Sequence, residues 1–259
     1  MSLTKLKTRL ADFLSMFLGK FNGAIVSIWN AQHFPLSAMI QDHHAELNVL
    51  DILVQHLLHK NQQANVPFQF VQIGANDGDC VDPVRKLIEK YTLKGILVEP
   101  LPTVFEALKK NYATQPQLIF ENAAIGETDG SLPFYYLEGG ARDASLFSSF
   151  DRDFVSGAQK ESWPETTICS IQVPVLSPMS LLAKHNIESL SLLIIDAEGW
   201  DYKILKAWDF SKTKPSIIEF EHNNLSFEDQ TNCYNLLIKN GYRLLRMVPT
   251  DTIAFLDTP

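Results

Sequence analysis

The 259-residue sequence is poor in basic residues and cysteine, and each shortage excludes a class of protein. It has 22 Lys and Arg against 30 Asp and Glu, a net charge of −8, and no compact basic stripe. Because binding to nucleic acid phosphate needs a basic face, we expect no nucleic acid partner. The three cysteines, Cys80, Cys169 and Cys233, are widely spaced. This excludes a disulfide framework and a zinc motif, and it is typical of a protein in the reducing cytoplasm.

The sequence also lacks a continuous apolar run long enough to cross a bilayer, so we expect no stable membrane insertion and no signal peptide. Residues 6–21 instead carry apolar side chains at helical spacing, which predicts an amphipathic helix. Such a helix would cover the rest of the protein, form a homodimer interface or lie on a membrane surface. A second helix is predicted from Ser37 to about Gln62. The polar stretch that follows predicts a helical extension over 1–65 and a second domain over 66–259.

The most informative motif runs from Phe70 to Gly78. A short apolar run ends here in a glycine-containing turn, and helical spacing over 84–91 follows. A second apolar run over 95–98 then ends at Glu99. Continuous apolar runs are typical of buried parallel strands, so the pattern predicts a nucleotide-binding βαβ unit. The glycines would let the backbone approach a ligand, and the Glu99 carboxylate would accept hydrogen bonds from both ribose hydroxyls.

The turn lacks the middle glycine of the dinucleotide fingerprint G-x-G-x-x-G. Asp77 and Asp79 would repel a pyrophosphate and would tolerate a cation. The charge of the turn therefore favours S-adenosylmethionine, which carries a sulfonium and an ammonium, over NAD. Two alternatives stay open, namely an NAD-binding Rossmann-type oxidoreductase and a catalytically silent nucleoside-binding subunit.

Two further apolar runs end in polar clusters. Residues 192–195 lead into Asp196 and Glu198, and residues 216–221 lead into His222, Asn223 and Asn224. The carboxyl ends of parallel strands share one edge of the sheet, where ligands bind, so we expect both clusters near the glycine turn. The alternatives are that Asp196 caps a helix and that His222 lies in a surface loop.

At this point the chain resembles the FkbM-type S-adenosylmethionine-dependent methyltransferases. The resemblance covers roughly residues 66–257 and rests on ordered motifs over 73–78, 98–100, 122–126, 173–176, 195–199 and 251–255. It implies an α/β, doubly wound, mostly parallel seven-stranded sheet of the class I methyltransferase type. It also implies a small-molecule hydroxyl acceptor, either a sugar or a natural product. The residues expected to bind the cofactor are Gln72, Gly74, Ala75, Asn76, Asp77, Gly78, Glu99, Pro100, Asn122, Ala123 and Asp196.

One position departs from the family pattern, since Gln72 stands where members commonly have an acid. Its carbonyl oxygen can still accept a hydrogen bond from the methionine ammonium, without a full charge. Methyl transfer to an alcohol also needs a base. Glu198 and His222 are the predicted bases, and Asp196 would hold the cofactor or orient the base. A less favoured variant places Mg²⁺ on Asp196, His222 and Asn223.

The rest of the chain supplies strands and a cover. Strands are predicted over 117–120, 131–137 and 169–173, and a crossover helix over 178–186. Residues 241–245 and 252–256 would form an antiparallel edge hairpin. The polar segment 139–145 lies in a long interval between strands, and such intervals are often functional. We therefore predict that this interval covers the substrate.

Overall fold

The computed structural model describes residues 48–80, 82–140, 142–247 and 249–256, which form an α/β domain. The helices are α1 (Val49–Ala64), α2 (Arg85–Tyr91), α3 (Pro102–Asn111), α4 (Arg152–Ser162), α5 (Pro178–Lys184), α6 (Asp201–Ala207) and α7 (Phe227–Lys239). The strands are β1 (Gln69–Ile73), β2 (Lys94–Val98), β3 (Leu118–Glu121), β4 (Ala124–Ile125), β5 (Gly130–Glu138), β6 (Thr167–Leu176), β7 (Leu192–Ile195), β8 (Ile217–Glu221), β9 (Tyr242–Met247) and β10 (Asp251–Leu256). A 3₁₀ turn covers Arg142–Leu146.

The main sheet has seven strands in the order β3-β2-β1-β7-β8-β10-β9. The first five strands in this order are parallel, and β10 runs antiparallel to both β8 and β9. Ile73 pairs with both Val98 and Ile195, so the carboxyl ends of β1, β2 and β7 lie level. The predicted doubly wound, mostly parallel sheet with an antiparallel edge hairpin is confirmed. Its reversal of strand order lies between β1 and β7, where ligands bind in open α/β sheets.

The interval between β3 and β7 forms a smaller sheet in the order β4-β6-β5. β5 and β6 pair along their whole length, from Gly130 with Val175 to Glu138 with Thr167. Helix α4 follows the 3₁₀ turn, and the Asp151 carboxylate caps it by accepting hydrogen bonds from two backbone amides. This helix was not predicted. The interval therefore adds a β-hairpin and a helix beside the carboxyl edge of the main sheet.

Helix α1 packs on the main sheet. Leu50, Val54 and Leu57 are buried in the same apolar cluster as Phe70 of β1 and Leu192 of β7. Residues 49–62 of the predicted 37–62 helix are helical, whereas 37–47 and the predicted amphipathic helix over 6–21 lie outside the described residues. Within the described ranges, no helix is long and apolar enough to span a membrane.

Replacing Leu57 by Ala should test whether α1 is part of the folded domain. Leu57 is 5% exposed, so the change leaves a cavity against the sheet. We expect the free energy of unfolding to fall by about 2–5 kcal/mol in urea denaturation. Gln62→Ala, at an exposed position of the same helix, should change it by less than about 0.5 kcal/mol. Equal stability of both variants would mean that α1 does not contribute to the core.

Candidate active site

A cavity opens at the carboxyl ends of β1, β2 and β7, at the reversal of strand order. It holds about 570 Å³ of empty space, part of it open to solvent. Side chains from the small sheet and from the segment after the 3₁₀ turn close its far side. The residues that line it are Ile73, Gly74, Asn76, Val98, Glu99, Pro100, Ala123, Ala124, Ile125, Phe134, Leu146, Ser148, Phe150, Asp196, Ala197, Glu198 and Trp200.

The glycine turn is pressed against its neighbours. Gly74 has φ +79°, and a Cβ placed on it would lie 1.8 Å from the backbone oxygen of Asp196. The amides of Gly74 and Ala75 both donate to the carbonyl of Val98, at 3.0 and 2.9 Å. A side chain at position 74 therefore cannot be accommodated without moving the backbone. The turn presents bare backbone to the cavity.

Glu99 lies at the end of β2 and is 4% exposed. Its Oε1 accepts a hydrogen bond from the amide of Leu101 at 2.8 Å, and its Oε2 accepts one from the amide of Asn76 at 3.1 Å. Burial, with smaller contributions from the charges of Asp77 and Asp196, raises the pKa of Glu99 to about 8. These amides orient the carboxylate beside the glycine turn. Each of its oxygens keeps a lone pair for a ligand.

The predicted cofactor-binding residues divide into two groups. Gly74, Asn76, Glu99, Pro100, Ala123 and Asp196 line the cavity, and Gln72, Ala75, Asp77, Gly78 and Asn122 do not. Asp77 Oδ1 accepts hydrogen bonds from the amides of Asp79 and Cys80, which closes the turn. Asn122 Nδ2 donates to the carbonyls of Glu99 and Pro100 at 2.8 and 3.1 Å. The residues that do not line the cavity, such as Asp77 and Asn122, thus support the loops that carry the lining residues.

Gln72 is buried behind the turn. Its Nε2 donates to Asp82 Oδ1 at 3.3 Å, and its Oε1 accepts no hydrogen bond within the described part of the chain. Asp82 in turn accepts a hydrogen bond from the Tyr112 hydroxyl at 2.5 Å. The hydrogen bond to Asp82 thus orients the Gln72 side chain, and Gln72 does not line the cavity.

The Asp196 side chain lines the cavity and is reached by solvent through the opening of the cavity. Burial and the charge of Asp251 raise the pKa of its carboxyl to about 6. Asp196 does not cap a helix, because α6 begins after Trp200, which makes no side-chain capping bond. The carboxyl group therefore faces the cavity and is not part of a helix terminus.

Glu198 follows on the same loop, with its backbone in the left-handed region at φ +49°. Its Oε2 accepts a hydrogen bond from Asn224 Nδ2 at 2.7 Å, and its carbonyl accepts one from Ser149 Oγ at 2.9 Å. Burial, followed by the charges of Asp196 and Glu221, raises the pKa of Glu198 well above its usual range. The loop is thus fixed from two sides, and burial favours the protonated form of its carboxyl group.

His222 is placed differently from the prediction. It is 1% exposed, its Nε2 accepts a hydrogen bond from Arg246 Nε at 3.0 Å, and its Nδ1 lies 3.2 Å from Thr252 Oγ1. Burial and the nearby Arg246 charge lower its pKa. Successive residues of a strand point to opposite faces, so His222 and Glu221 point apart at the end of β8. His222 does not line the cavity, and the predicted base and metal-ligand roles find no support in this arrangement.

The predicted metal set of Asp196, His222 and Asn223 is therefore not assembled. Asn223 is exposed, and His222 uses its Nε2 lone pair for Arg246. The structure instead brings carboxylate oxygens of Asp196, Glu198 and Glu221 within 4.8 Å of one another. Glu221 was not among the predicted site residues.

An aromatic wall was also not predicted. Phe150 contacts Phe134, with ring centroids 5.0 Å apart, and Trp200, with centroids 4.5 Å apart. The Lys203 ammonium lies 3.6 Å from the centroid of the Trp200 ring. Trp200 directly follows the acidic motif, which was the one signal in the sequence that could have indicated it. Phe134, Phe150 and Trp200 all line the cavity.

Part of the interval predicted to cover the substrate lies at the cavity. Leu146, Ser148 and Phe150 line the cavity, after the predicted segment 139–145. Ser145 Oγ, at the end of that segment, donates to Asn76 Oδ1 at 3.3 Å. Ser145 therefore contacts the glycine turn, and Ser149, four residues later, contacts the acidic loop.

A glycine turn, an acid at the end of the next strand and an acidic loop thus meet at the reversal of strand order, the place of the ligand site in open α/β folds. The family comparison then gives the particular group, since the profile of the methyltransferase FkbM domain matches residues 72–244. This match covers more than half of the chain. The chain belongs to the FkbM methyltransferase family.

Several solved structures are similar at low identity. An FkbM methyltransferase from Methylobacillus flagellatus KT is 15% identical with a TM-score of 0.45, and the match covers 73% of this chain and 43% of that one. A putative caffeoyl-CoA O-methyltransferase from Staphylococcus aureus is 12% identical with a TM-score of 0.41, covering 90% and 98%. The N-terminal domain of human METTL16 in complex with SAH is 9% identical with a TM-score of 0.44, covering 81% and 69%. No curated protein matches the chain.

Proposed function

We propose that the protein transfers a methyl group from S-adenosylmethionine to a hydroxyl group of a small molecule, a sugar or a natural product. Family membership supports methyl transfer. The observation that carries the rest of the proposal is one cavity lined by both Glu99 and Glu198. We assign Glu99 to the ribose hydroxyls and Glu198 to the base.

The residues of the cavity fit this cofactor. The bare backbone at Gly74 leaves room for the amino acid part, and Glu99 retains acceptor capacity for the two ribose hydroxyls. Pro100 and Ala123 offer apolar surface to a nucleobase. We assign the ammonium to Asp196, because the Gln72 oxygen is buried away from the cavity. When bound, the sulfonium supplies an activated methyl group.

The chain's own residues would then position and deprotonate the acceptor. Glu198 would accept the proton of the acceptor hydroxyl, which would make that oxygen a stronger nucleophile for methyl transfer. Ser149 and Asn224 hold Glu198 in place during this step. The Trp200 and Phe150 rings would pack against the acceptor and exclude water from it.

The charge of the cavity supports a neutral acceptor. Three carboxyl groups line it, those of Glu99, Asp196 and Glu198, and no Lys, Arg or His is among the described residues that do so. An anionic acceptor such as a phosphate would be repelled at this distance. A hydroxyl group is compatible with all three carboxyl groups, either as donor or as the reacting atom.

S-adenosylhomocysteine should raise the melting temperature of the protein, since a ligand that binds only the native state stabilises it by mass action. At about 100 times the dissociation constant, the gain is about 2.7 kcal/mol. Glu99→Ala should remove most of this shift. Glu106→Ala, at an exposed position of α3, is the control and should retain it.

NADH distinguishes the alternative activity. A shift with NADH and none with S-adenosylhomocysteine at millimolar concentration would overturn the proposal in favour of a dinucleotide enzyme. A shift with S-adenosylhomocysteine but no turnover on any hydroxyl acceptor would favour a silent nucleoside-binding subunit.

A further inference from the structure

The backbone amides of the glycine turn are already occupied by the protein. Every backbone N–H from Gly74 to Cys80 donates to an acceptor within the domain, either a backbone carbonyl or a side-chain oxygen. A loop that binds an anion through its backbone instead directs free N–H groups at the ligand. The turn can therefore lie close to a ligand, but its N–H groups over residues 74–80 are not free to bind a negatively charged group.

The cofactor proposed for this cavity carries one anionic group, the carboxylate of its methionine part. The three carboxyl groups that line the cavity would repel it, and no Lys, Arg or His is among the described residues that line the cavity. Apart from the carboxyl groups, the lining side chains that carry an N–H or O–H donor are those of Asn76, Ser148 and Trp200. These three side chains are the candidates for binding the carboxylate.

The side-chain amide of Asn76 is held in one orientation. Its Oδ1 accepts hydrogen bonds from the amide of Asp77 at 2.7 Å and from Ser145 Oγ at 3.3 Å. Rotation of the side-chain amide by half a turn would set its nitrogen against the Asp77 N–H, donor against donor. Within the described residues, Asn76 Nδ2 donates to no acceptor. Two N–H groups at the cavity are therefore left for a ligand.

Ser148 brings a second donor from the segment between β3 and β7. Ser145 fixes this segment to the glycine turn, and Ser149 Oγ fixes it to the acidic loop by donating to the Glu198 carbonyl at 2.9 Å. Ser148 lies between these two contacts, and its hydroxyl makes no hydrogen bond with the described part of the chain. The third candidate, Trp200, comes two residues after Glu198, whose carboxyl group would oppose a carboxylate there. Asn76 and Ser148 are therefore the better-placed donors.

We propose that Asn76 Nδ2 and the Ser148 hydroxyl bind the carboxylate of the methionine part of the cofactor. This inference rests on the proposed function and extends it, because it gives the segment between β3 and β7 a part in cofactor binding. Asn76 lies two residues after Gly74, whose bare backbone leaves room for the amino acid part. An acceptor hydroxyl does not need these donors, since it can itself donate to the carboxyl groups of the cavity.

Isothermal titration of the full chain with two ligands tests the assignment. The ligands are S-adenosylhomocysteine and its decarboxylated analogue, which lacks only the carboxylate. Ser148→Ala should weaken binding of S-adenosylhomocysteine by about tenfold to a hundredfold, as expected for the loss of a hydrogen bond to a charged group. The same variant should bind the analogue with unchanged affinity. Ser170→Ala, at an exposed position of β6, is the matched control and should change neither affinity.

Asn76→Asp gives a second variant with a different expected pattern. Its carboxylate keeps an acceptor for the Asp77 amide, and Asp tolerates the left-handed backbone at φ +45°. Because a negative charge replaces two N–H donors, S-adenosylhomocysteine should bind at least about tenfold more weakly. The analogue carries only a positive charge and should bind as tightly as before or more tightly. Asn235→Asp, at an exposed position of α7, makes the same change elsewhere and should alter neither affinity.

The two ligands separate the failure of this inference from the failure of the proposed function. Equal losses for both ligands, or unchanged binding of S-adenosylhomocysteine in both variants, would overturn the inference alone. A wild-type protein that binds neither ligand would overturn the proposed function and the inference with it. Circular dichroism checks that each variant is folded, and either folded variant is sufficient to decide.

Discussion

Glu198→Gln is expected to lower turnover by about two to four powers of ten while S-adenosylhomocysteine still raises the melting temperature. A general base contributes about this much to a rate, and the amide keeps the shape of the side chain but cannot take a proton. Asn224 can still donate to the amide oxygen, so the loop should keep its position. Single-turnover kinetics of the wild type and the variant with the same hydroxyl acceptor measure the effect.

The pH profile supplies a sharper test of the same role. The pKa of Glu198 is raised well above its usual range, and only the deprotonated form is a base. Turnover should therefore rise as the pH rises through this raised pKa, and Glu198→Gln should lose that limb of the profile. Glu165→Gln, at an exposed position, should keep both the rate and the profile. Full activity of Glu198→Gln would place the base elsewhere, most simply in the segment from 139 to 149.

Gly74→Ala should destabilise the protein by more than about 4 kcal/mol, a loss seen when the backbone itself must move. The added Cβ would lie 1.8 Å from the Asp196 backbone oxygen, and φ +79° is unfavourable for any residue with a Cβ. Urea denaturation measures the loss. Any folded fraction should also bind S-adenosylhomocysteine weakly, because β1 and β7 separate at the cavity.

Gly157→Ala is the matched control, with the opposite expected sign. Gly157 lies inside α4, and a Cβ there meets nothing within 4 Å. Alanine should stabilise this helix by about 0.5–1 kcal/mol. Wild-type stability of Gly74→Ala would show that the turn does not press against β7 as described.

The strands of the main sheet were predictable because their local sequence decides them. Residues 192–195 are apolar without interruption and form β7 over the same residues, all of them buried. β6 of the small sheet was predicted over 169–173 and extends from Thr167 to Leu176, because pairing with β5 and β4 extends it in both directions. Helix α4 was missed because its apolar residues are few and its stability depends on the cap at Asp151 and on tertiary contacts.

The site was predicted where it depends on motifs along the chain and not where it depends on pairing between distant segments. Glu99, Asp196 and Glu198 line the cavity as expected. The proximity of Glu221 to Asp251 follows from the register of β10, which no local pattern gives. The error on His222 has a similar cause, because its direction depends on whether the alternation of β8 continues one residue past the strand.

The hydrogen bond from Ser149 to the Glu198 carbonyl has a consequence for how acceptor preference can change within this fold. Ser149 belongs to the segment between β3 and β7, whereas Glu198, the proposed base, follows β7 of the main sheet. Under the proposed function, an exchange of residues 127–176 between relatives would therefore transfer the surface that contacts the acceptor and also a contact that supports the proposed base. Chimaeras should retain catalysis only where the incoming segment keeps a hydroxyl donor at position 149. The segment must also keep the two backbone hydrogen bonds that residue 149 exchanges with residue 135. The segment 127–176 and the acidic loop should therefore change together when acceptor preference changes, even though nearly fifty residues separate Ser149 from Glu198 along the chain.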